Sequence, residues 1–292
     1  MNYLTDQILN GIALGSIYAL IALGFGVVYG VLKFLNFAHS EIFTASVYLS
    51  LFSFTFWSTY STNTAVIILL TAVFSAIGAA GLALIVEYIA YRPLYRQPRI
   101  KMLLTAIAVS MLLQNIGIQI FGARTLGFPP ISLPISPQLI TLILLLITLV
   151  STYTFFRYSD LGIRIRAVAE DPVVAEMHGI APNQTIRAAF AIGGALAGIA
   201  GLAWGLMYST VNPQMGYLPG MKAFMIAVIG TIGNPIGTFL IGIGLGIIEV
   251  LVVAYLPSEA SGFKNSIGLG LLLTLLLLRP EGLLGAHRQE KV

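Results

Sequence analysis

Hydrophobic positions in this chain come in long unbroken runs, not in the half-buried stripes of a water-soluble helix. Thr141–Phe156 and Ile267–Leu278 are nearly continuous and show no polar face. A helix that is apolar all round belongs in lipid or in a large buried core. About twenty mostly apolar residues span a bilayer as a helix. The candidate spans are Ile8–Leu32, Ile42–Trp57, Ala65–Ala90, Met102–Phe121, Leu139–Phe156, Thr185–Met207, Ile236–Leu256 and Ser266–Leu278. A shorter apolar piece, Gly220–Ile232, precedes a break at Gly233, Asn234 and Pro235. The pattern predicts an all-α fold: a polytopic transmembrane bundle of about eight or nine spanning elements, with residues 1–292 as a single domain.

Composition supports lipid as the solvent. Hydrophobic residues fill 58% of the 292 positions and charged residues 9%, whereas a soluble domain carries about a quarter charged residues. Cysteine is absent, which excludes disulfides, Cys-ligated metals and thiol chemistry. The formal charge of +4 does not point to nucleic acid, because the basic residues sit in short loops between apolar runs. Residues 1–7 carry Asp6 and no Lys or Arg. Ile8–Leu32 is also longer than a signal-peptide core, so it is expected to stay as a membrane helix.

Orientation follows from Lys and Arg. Eleven of the fifteen lie in three places: Arg92, Arg96, Arg99 and Lys101; Arg157, Arg164, Arg166 and Arg187; Arg279, Arg288 and Lys291. The positive-inside rule makes these segments cytoplasmic. The loops around 58–64, 122–138, 208–218 and 257–265 contain only Arg124 and Lys264 and are expected outside. The crossings tally only if Gly220–Ile232 counts as one, or dips deeply into the membrane, leaving the N-terminus external and the C-terminus cytoplasmic. A re-entrant turn at residues 33–41 would instead flip the N-terminus.

The longest non-apolar internal segment, about 157–187, carries the clearest local signals. Asp171 and Pro172 read as an N-cap followed by proline at the first helical position, and Gly179 as the left-handed C-cap residue. Val173 to His178 between them make about two turns, too short to stand alone in water. An amphipathic piece, Leu161 to Ala169, precedes it, with Arg164 and Arg166 flanking Ile163 and Ile165. Two readings suit these residues: an interfacial helix on anionic lipid, or a coupling helix that enters a cleft of a cytoplasmic ATPase.

Other features have equally paired readings. In Thr185–Met207 the small residues Ala189, Gly193, Ala197, Gly201 and Gly205 recur every fourth position, a face for close helix packing. Gly233-Asn234-Pro235 either lines a substrate path, as broken helices do in transporters, or makes a cytoplasmic turn. Glu249 lies deep in a span and is a functional candidate by default, or a hydrogen-bonded structural residue. Asn36, His39, Ser40 and Glu41 join the first two spans. One histidine and one carboxylate are too sparse for zinc, so a polar end-cap or interface anchor is expected. The candidate translocation path is Asn36, His39, Glu41, Gly233, Asn234 and Glu249. Gln114, Asn115 and Gln119 either bond between helices or line a polar route. The chain has no phosphate loop, no H-E-x-x-H zinc motif and no nucleophile elbow, so neither an enzyme nor a bound cofactor or metal is expected.

Several segments together resemble a known family. Asn10-Gly11-Ile12-Ala13-Leu14-Gly15-Ser16-Ile17-Tyr18-Ala19-Leu20, Asn36-Phe37-Ala38-His39-Ser40-Glu41 and Arg166-Ala167-Val168-Ala169-Glu170-Asp171 resemble the LivH-type branched-chain amino acid ABC permeases. So do Asn212-Pro213, Gly220-Met221-Lys222-Ala223-Phe224 and Arg279-Pro280-Glu281-Gly282-Leu283-Leu284-Gly285. Ser40 stands where these permeases commonly carry glycine. The resemblance implies a translocating subunit of a bacterial inner-membrane importer for branched-chain or other neutral amino acids. Its implied partners are a second homologous permease, two cytoplasmic ATPases and a periplasmic amino-acid-binding protein. Arg164, Arg166, Glu170, Asp171, Val174, Glu176, Met177 and Gly179 would then couple to the ATPase. Glu176 to Gly179 loosely resembles the E-A-A…G signature of ABC importers, with Met177 and His178 in place of alanine and the later Leu-Pro missing. A urea or short-amide importer, a stand-alone transporter or channel, and an intramembrane enzyme are the alternatives.

Overall fold

The computed structural model describes residues 3–95, 97–129, 136–230, 235–257 and 262–278. Gly233, Asn234 and the basic C-terminal segment from Arg279 onward lie outside the described residues. The described chain is α1 Tyr3–Leu32, α2 Ala38–Tyr60, α3 Thr64–Val86, α4 Arg99–Phe121, α5 Pro137–Tyr158, α6 Asp160–Glu170, α7 Pro172–Met177, α8 Pro182–Tyr208, α9 Tyr217–Ile229, α10 Pro235–Tyr255 and α11 Lys264–Leu278. Two short strands, β1 Leu126–Gly127 and β2 Thr210–Val211, pair antiparallel with Leu126 opposite Val211. Among the described residues, seven helices are long and apolar enough to cross a membrane (α1, α2, α3 with its extension, α4, α5, α8 and α10), while α9 and α11 are shorter and apolar.

Local chemistry sets the helix ends. Asn63 Oδ1 accepts from the Ala65 and Val66 amides at the start of α3. Ser136 and Ser159 cap α5 and α6 through their hydroxyls. Proline occupies an early position of α5, α7 and α8, where its missing N–H costs nothing. α3 runs on through a π-helical turn, Glu87–Tyr91, and a 3-10 turn, Arg92–Leu94. The wider π turn aims both Glu87 and Tyr91 into the protein.

α1 is the central helix, buried from Ala13 through Gly26, and α5, α8, α9 and α10 surround it. Its tightest partner is α10. A Cβ on Gly15 would lie 2.5 Å from Gly242 O and Ile243 Cα, and one on Gly11 2.6 Å from Ile247 Cα. Glycine is required at this crossing because the obstacle is backbone, which cannot step aside. α4 sits at the periphery and buries only Met102 and Ala106. Leu69, Ile77, Leu104, Ile120 and Ile147 point outward from α3, α4 and α5, a lipid-facing surface that water would not tolerate at this extent.

The helix ends sort into two sets. Tyr3 touches Tyr255 at the end of α10, Phe54 near the end of α2 packs on Phe128, and β1 pairs with β2. The opposite end gathers the ends of α1 and α5, the extension of α3, and α6 with α7. α1 and α2 therefore run antiparallel, joined by the turn at residues 33–37, as a count with α9 as a crossing requires. α9 is nevertheless short: 13 residues rise about 20 Å. It starts inside the protein, where Gly216 and Gly220 lie directly on Ser40, and ends where Gly230 meets Thr238.

Candidate functional site

The most highly charged point inside the bundle joins four helices. Lys222 Nζ of α9 lies 2.6 Å from Glu249 Oε1 of α10, with the two side chains 2% and 3% exposed. Tyr18 of α1 donates its hydroxyl to Glu249 Oε2 at 2.9 Å. Lys222 also donates to the Tyr18 hydroxyl at 3.3 Å and to Asn265 Oδ1 of α11 at 2.8 Å. Its ammonium stands 5.2 Å from the centre of the Tyr18 ring. Gly268 makes room for the carboxylate, since a Cβ there would lie 2.5 Å from Glu249 Oε1. Either charge alone at this depth would be expensive, and the pair with its hydrogen bonds offsets part of that cost.

Tyr18, Glu249 and Asn265 of this cluster line a cavity of about 610 Å³ that opens at the β1–β2 end, and Lys222 lies behind them. Gln7 and Asn10 stand near its mouth, Trp204 and Tyr208 form one wall, and Tyr18, Glu249 and Asn265 reach its base. A second cavity of about 350 Å³ opens at the α6–α7 end, between Gly26 and Gly30 of α1, Thr152 and Arg157 of α5, Arg166 of α6 and Thr238 of α10. Tyr18 lines the first and Leu23 the second. Those residues are separated by about 7.5 Å of helix rise. Ala19, Leu20, Ile21 and Ala22 between them are fully buried. Tyr18 and Leu23 also point about 140° apart around α1, so the two cavities lie on different faces of that helix with packed protein between them.

Asn36, His39 and Glu41 lie apart from the Lys222 cluster. They are neither an end-cap nor an interface anchor. The start of α2 has no side-chain cap, and the three residues are 2%, 1% and 5% exposed. Asn36 Oδ1 accepts from the Tyr91 hydroxyl at 2.7 Å. The His39 ring stacks edge-on against Phe25, 4.7 Å between centroids, and a Cβ on Gly24 would lie 2.6 Å from its Nε2. Glu41 Oε1 accepts from Ser110 of α4 at 3.3 Å. Ser40 packs its hydroxyl against Gly220, so the serine here demands a glycine across from it. Glu87 is buried beside this turn and accepts from the Tyr95 hydroxyl at 2.7 Å.

The small-residue face of α8 meets more than one neighbour. Gly193 lies on Gly24 of α1, Gly201 on Ser46 and Val47 of α2, and Gly205 on the Phe128 ring. A second face, Gly194 and Gly198, lies on Ala79 and Ala76 of α3. Ser75 ties the three helices, its hydroxyl lying 3.0 Å from both Ser46 O and Gly198 O and able to donate to either. Gln114 and Asn115 are partly or fully exposed on α4, and Asn115 donates only to its own helix, at Met111 O.

The segment from Asp160 to Gly179 forms as its sequence predicts. Asp171 Oδ1 accepts from Val173 and Val174 N–H at 2.8 and 3.1 Å. Gly179 adopts φ +80°. Its N–H bonds to Glu176 O while Ile180 N–H bonds to Ala175 O, the paired bonds of a Schellman ending. Arg164, Arg166, Glu170, Asp171, Val174, Glu176, Met177 and Gly179 are all exposed, whereas Gly162, Ile165, Val168 and Ala175 face the bundle. Val173 is 67% and Met177 82% exposed. α7 therefore presents an apolar tip that no described part of the chain covers.

Lys222, Tyr18 and Asn265 are the site residues that the sequence pattern does not bring forward. A lone lysine in the apolar run Gly220–Ile232 is a usable signal, because an ammonium at that depth needs a counterion and Glu249 is an intramembrane carboxylate.

Comparison with known proteins agrees with this architecture. The family described as branched-chain amino acid transport system / permease component matches residues 7–278. The high-affinity branched-chain amino acid transport system permease LivH of Escherichia coli (strain K12) is 35% identical, covering 99% of this chain and 98% of the relative. BraD of Pseudomonas aeruginosa is 33% identical over 98% and 97%. Among solved structures, PsaBC from Streptococcus pneumoniae in complex with Fab matches over 96% of this chain and 94% of the other, with 11% identity and a TM-score of 0.50; that likeness concerns the fold alone. On the near-complete family match and the full-length identity to these relatives, the chain belongs to the branched-chain amino acid transport permease family.

Proposed function

We propose that this chain is the translocating subunit of an ATP-driven importer that carries branched-chain or other neutral amino acids across the bacterial inner membrane. The observation that carries the proposal is α7: a short helix fixed by an N-cap and a Schellman ending, with Val173, Val174 and Met177 exposed. A helix of six residues is held in shape by its caps and by α6, and so is ready to enter a cleft rigidly. That cleft belongs to a cytoplasmic ATPase, with Arg164 and Arg166 at the rim of the contact. ATP hydrolysis belongs to two such partners. A second homologous permease completes the membrane unit, and a periplasmic amino-acid-binding protein delivers substrate to the β1–β2 end.

On this reading the two cavities, on different faces of α1, are the entry and exit sides of an alternating-access cycle. Substrate enters the cavity above Lys222 and Glu249 and leaves by the cavity beside Arg157 and Arg166. ATPase binding biases which side is open, through contacts that differ between the two states. The Lys- and Arg-rich α6–α7 end is cytoplasmic on this reading, and so is the C-terminus. Affinity purification of the tagged chain in mild detergent tests it. Co-elution of an ATPase and a second permease is expected, and a clean chain that transports amino acids without them would overturn the proposal.

A further inference from the structure

The Lys222–Glu249 pair has two further partners, Tyr18 and Asn265, and Glu249 faces a cavity while Lys222 lies directly behind the lining. Tyr18, Glu249 and Asn265 all line that cavity, and Lys222 touches each of the three. The pair offers one ammonium and one carboxylate. A zwitterionic amino acid carries the same two groups.

We propose that Lys222 and Glu249 form a binding site for the zwitterionic end of an amino acid, whose carboxylate takes the Lys222 ammonium and whose ammonium takes the Glu249 carboxylate. The inference rests on the amino-acid transport reading above and names the residues that reading leaves open. The exchange is neutral: two opposite charges meet two opposite charges, so neither buried residue is left unpaired. Tyr18 and Asn265 make the opening of the pair affordable, since Glu249 keeps the Tyr18 hydroxyl and Lys222 keeps Asn265 Oδ1. The substrate side chain then lies against Leu14, Trp204, Met215 and Val250. An apolar or uncharged side chain is accommodated there. Lys264 also lines the cavity, so a cationic side chain meets a like charge there and is rejected.

Trp204 reports on the site directly, because the chain has two tryptophans and the other, Trp57, lies on α2 and does not line the cavity. The full chain carrying Trp57→Phe, in detergent or assembled with its partners, is titrated with L-leucine while Trp204 fluorescence is followed. A saturable change is expected with leucine. Leucinamide, which lacks the carboxylate, and 4-methylpentanoate, which lacks the ammonium, should bind roughly tenfold or more weakly, each having lost a charge-assisted contact. The paired variant Lys222→Gln with Glu249→Gln removes both charges together, so no unpaired charge is buried and folding is checked by its unfolding temperature. It should lose the leucine response to the same degree. Equal responses to all three compounds, an unchanged response in the folded double variant, or no response to leucine in the wild-type chain would each overturn the site. Uptake of labelled leucine by the wild-type complex, measured in parallel, tells the two failures apart. Uptake without this signature sinks the site and leaves the importer standing, whereas absent uptake sinks both.

Discussion

Lys222 Nζ and Glu249 Oε1 stand 2.6 Å apart with both side chains almost fully withdrawn from solvent. They join the short helix α9 to α10 behind the base of the cavity at the β1–β2 end, and Tyr18 ties both to the central helix.

The pair makes a stability prediction independent of transport. Lys222→Gln alone, or Glu249→Gln alone, leaves one partner changed and the other without its counter-charge. Each should cost about 3–5 kcal/mol, the typical result of breaking a buried pair from one side. Replacing both residues by glutamine should cost less than the sum of the single changes. A double-mutant cycle on unfolding in detergent checks this, and strict additivity would contradict the coupling.

The α1–α10 crossing predicts a contrast between glycines on one helix. Gly15→Ala places a methyl 2.5 Å from Gly242 O and Ile243 Cα, and should destabilise by about 1–3 kcal/mol as an overpacking change. Gly26→Ala and Gly30→Ala meet nothing within 4 Å. They should leave stability unchanged or slightly raised, alanine being the better helix former. Thermal unfolding of the three variants decides the matter.

The α7 helix gives the third prediction. Val174→Glu and Met177→Glu change exposed side chains, so membrane insertion and unfolding temperature should stay unchanged while ATPase co-purification falls. Asp171→Ala removes the cap on Val173 and Val174 N–H, a loss of about 1 kcal/mol of local helix stability. Asp171→Asn should restore coupling. Full ATPase recovery with all of these variants would remove α7 as the docking element.

How far the sequence leads differs from part to part. The spans are legible because lipid demands long apolar helices, and α7 is legible because its caps, Asp171, Pro172 and Gly179, act within a few residues. The Lys222 cluster is not, because its four members come from four helices and meet only in the folded chain. The second glycine face of α8 is hidden for a related reason. Gly194 and Gly198 sit one residue beyond Gly193 and Ala197, so a single stripe of small residues reads as one seam although three helices pack there. The burial of Asn36, His39 and Glu41 is also tertiary. Polar residues between two spans resemble an interfacial loop until α9 and the π turn of α3 close over them.

The absence of cysteine from the sequence makes orientation directly testable. Thr62→Cys lies at the exposed turn between α2 and α3, and Glu176→Cys on the exposed tip of α7. A membrane-impermeant maleimide applied to intact spheroplasts should label the first and spare the second until the membrane is permeabilised. The reverse pattern would invert the topology and place α7 out of reach of ATP.

The central claim is that transport through this chain is driven by an ATPase docked on α7. It is tested most directly by uptake of labelled leucine into proteoliposomes holding the purified complex and its binding protein, with urea as the comparison substrate. The account predicts leucine uptake only when ATP is supplied on the α6–α7 face, little uptake of urea, and loss of ATP-driven uptake with Met177→Glu. Leucine uptake by this chain reconstituted alone, or ATP-driven uptake unaffected by Met177→Glu, would contradict it.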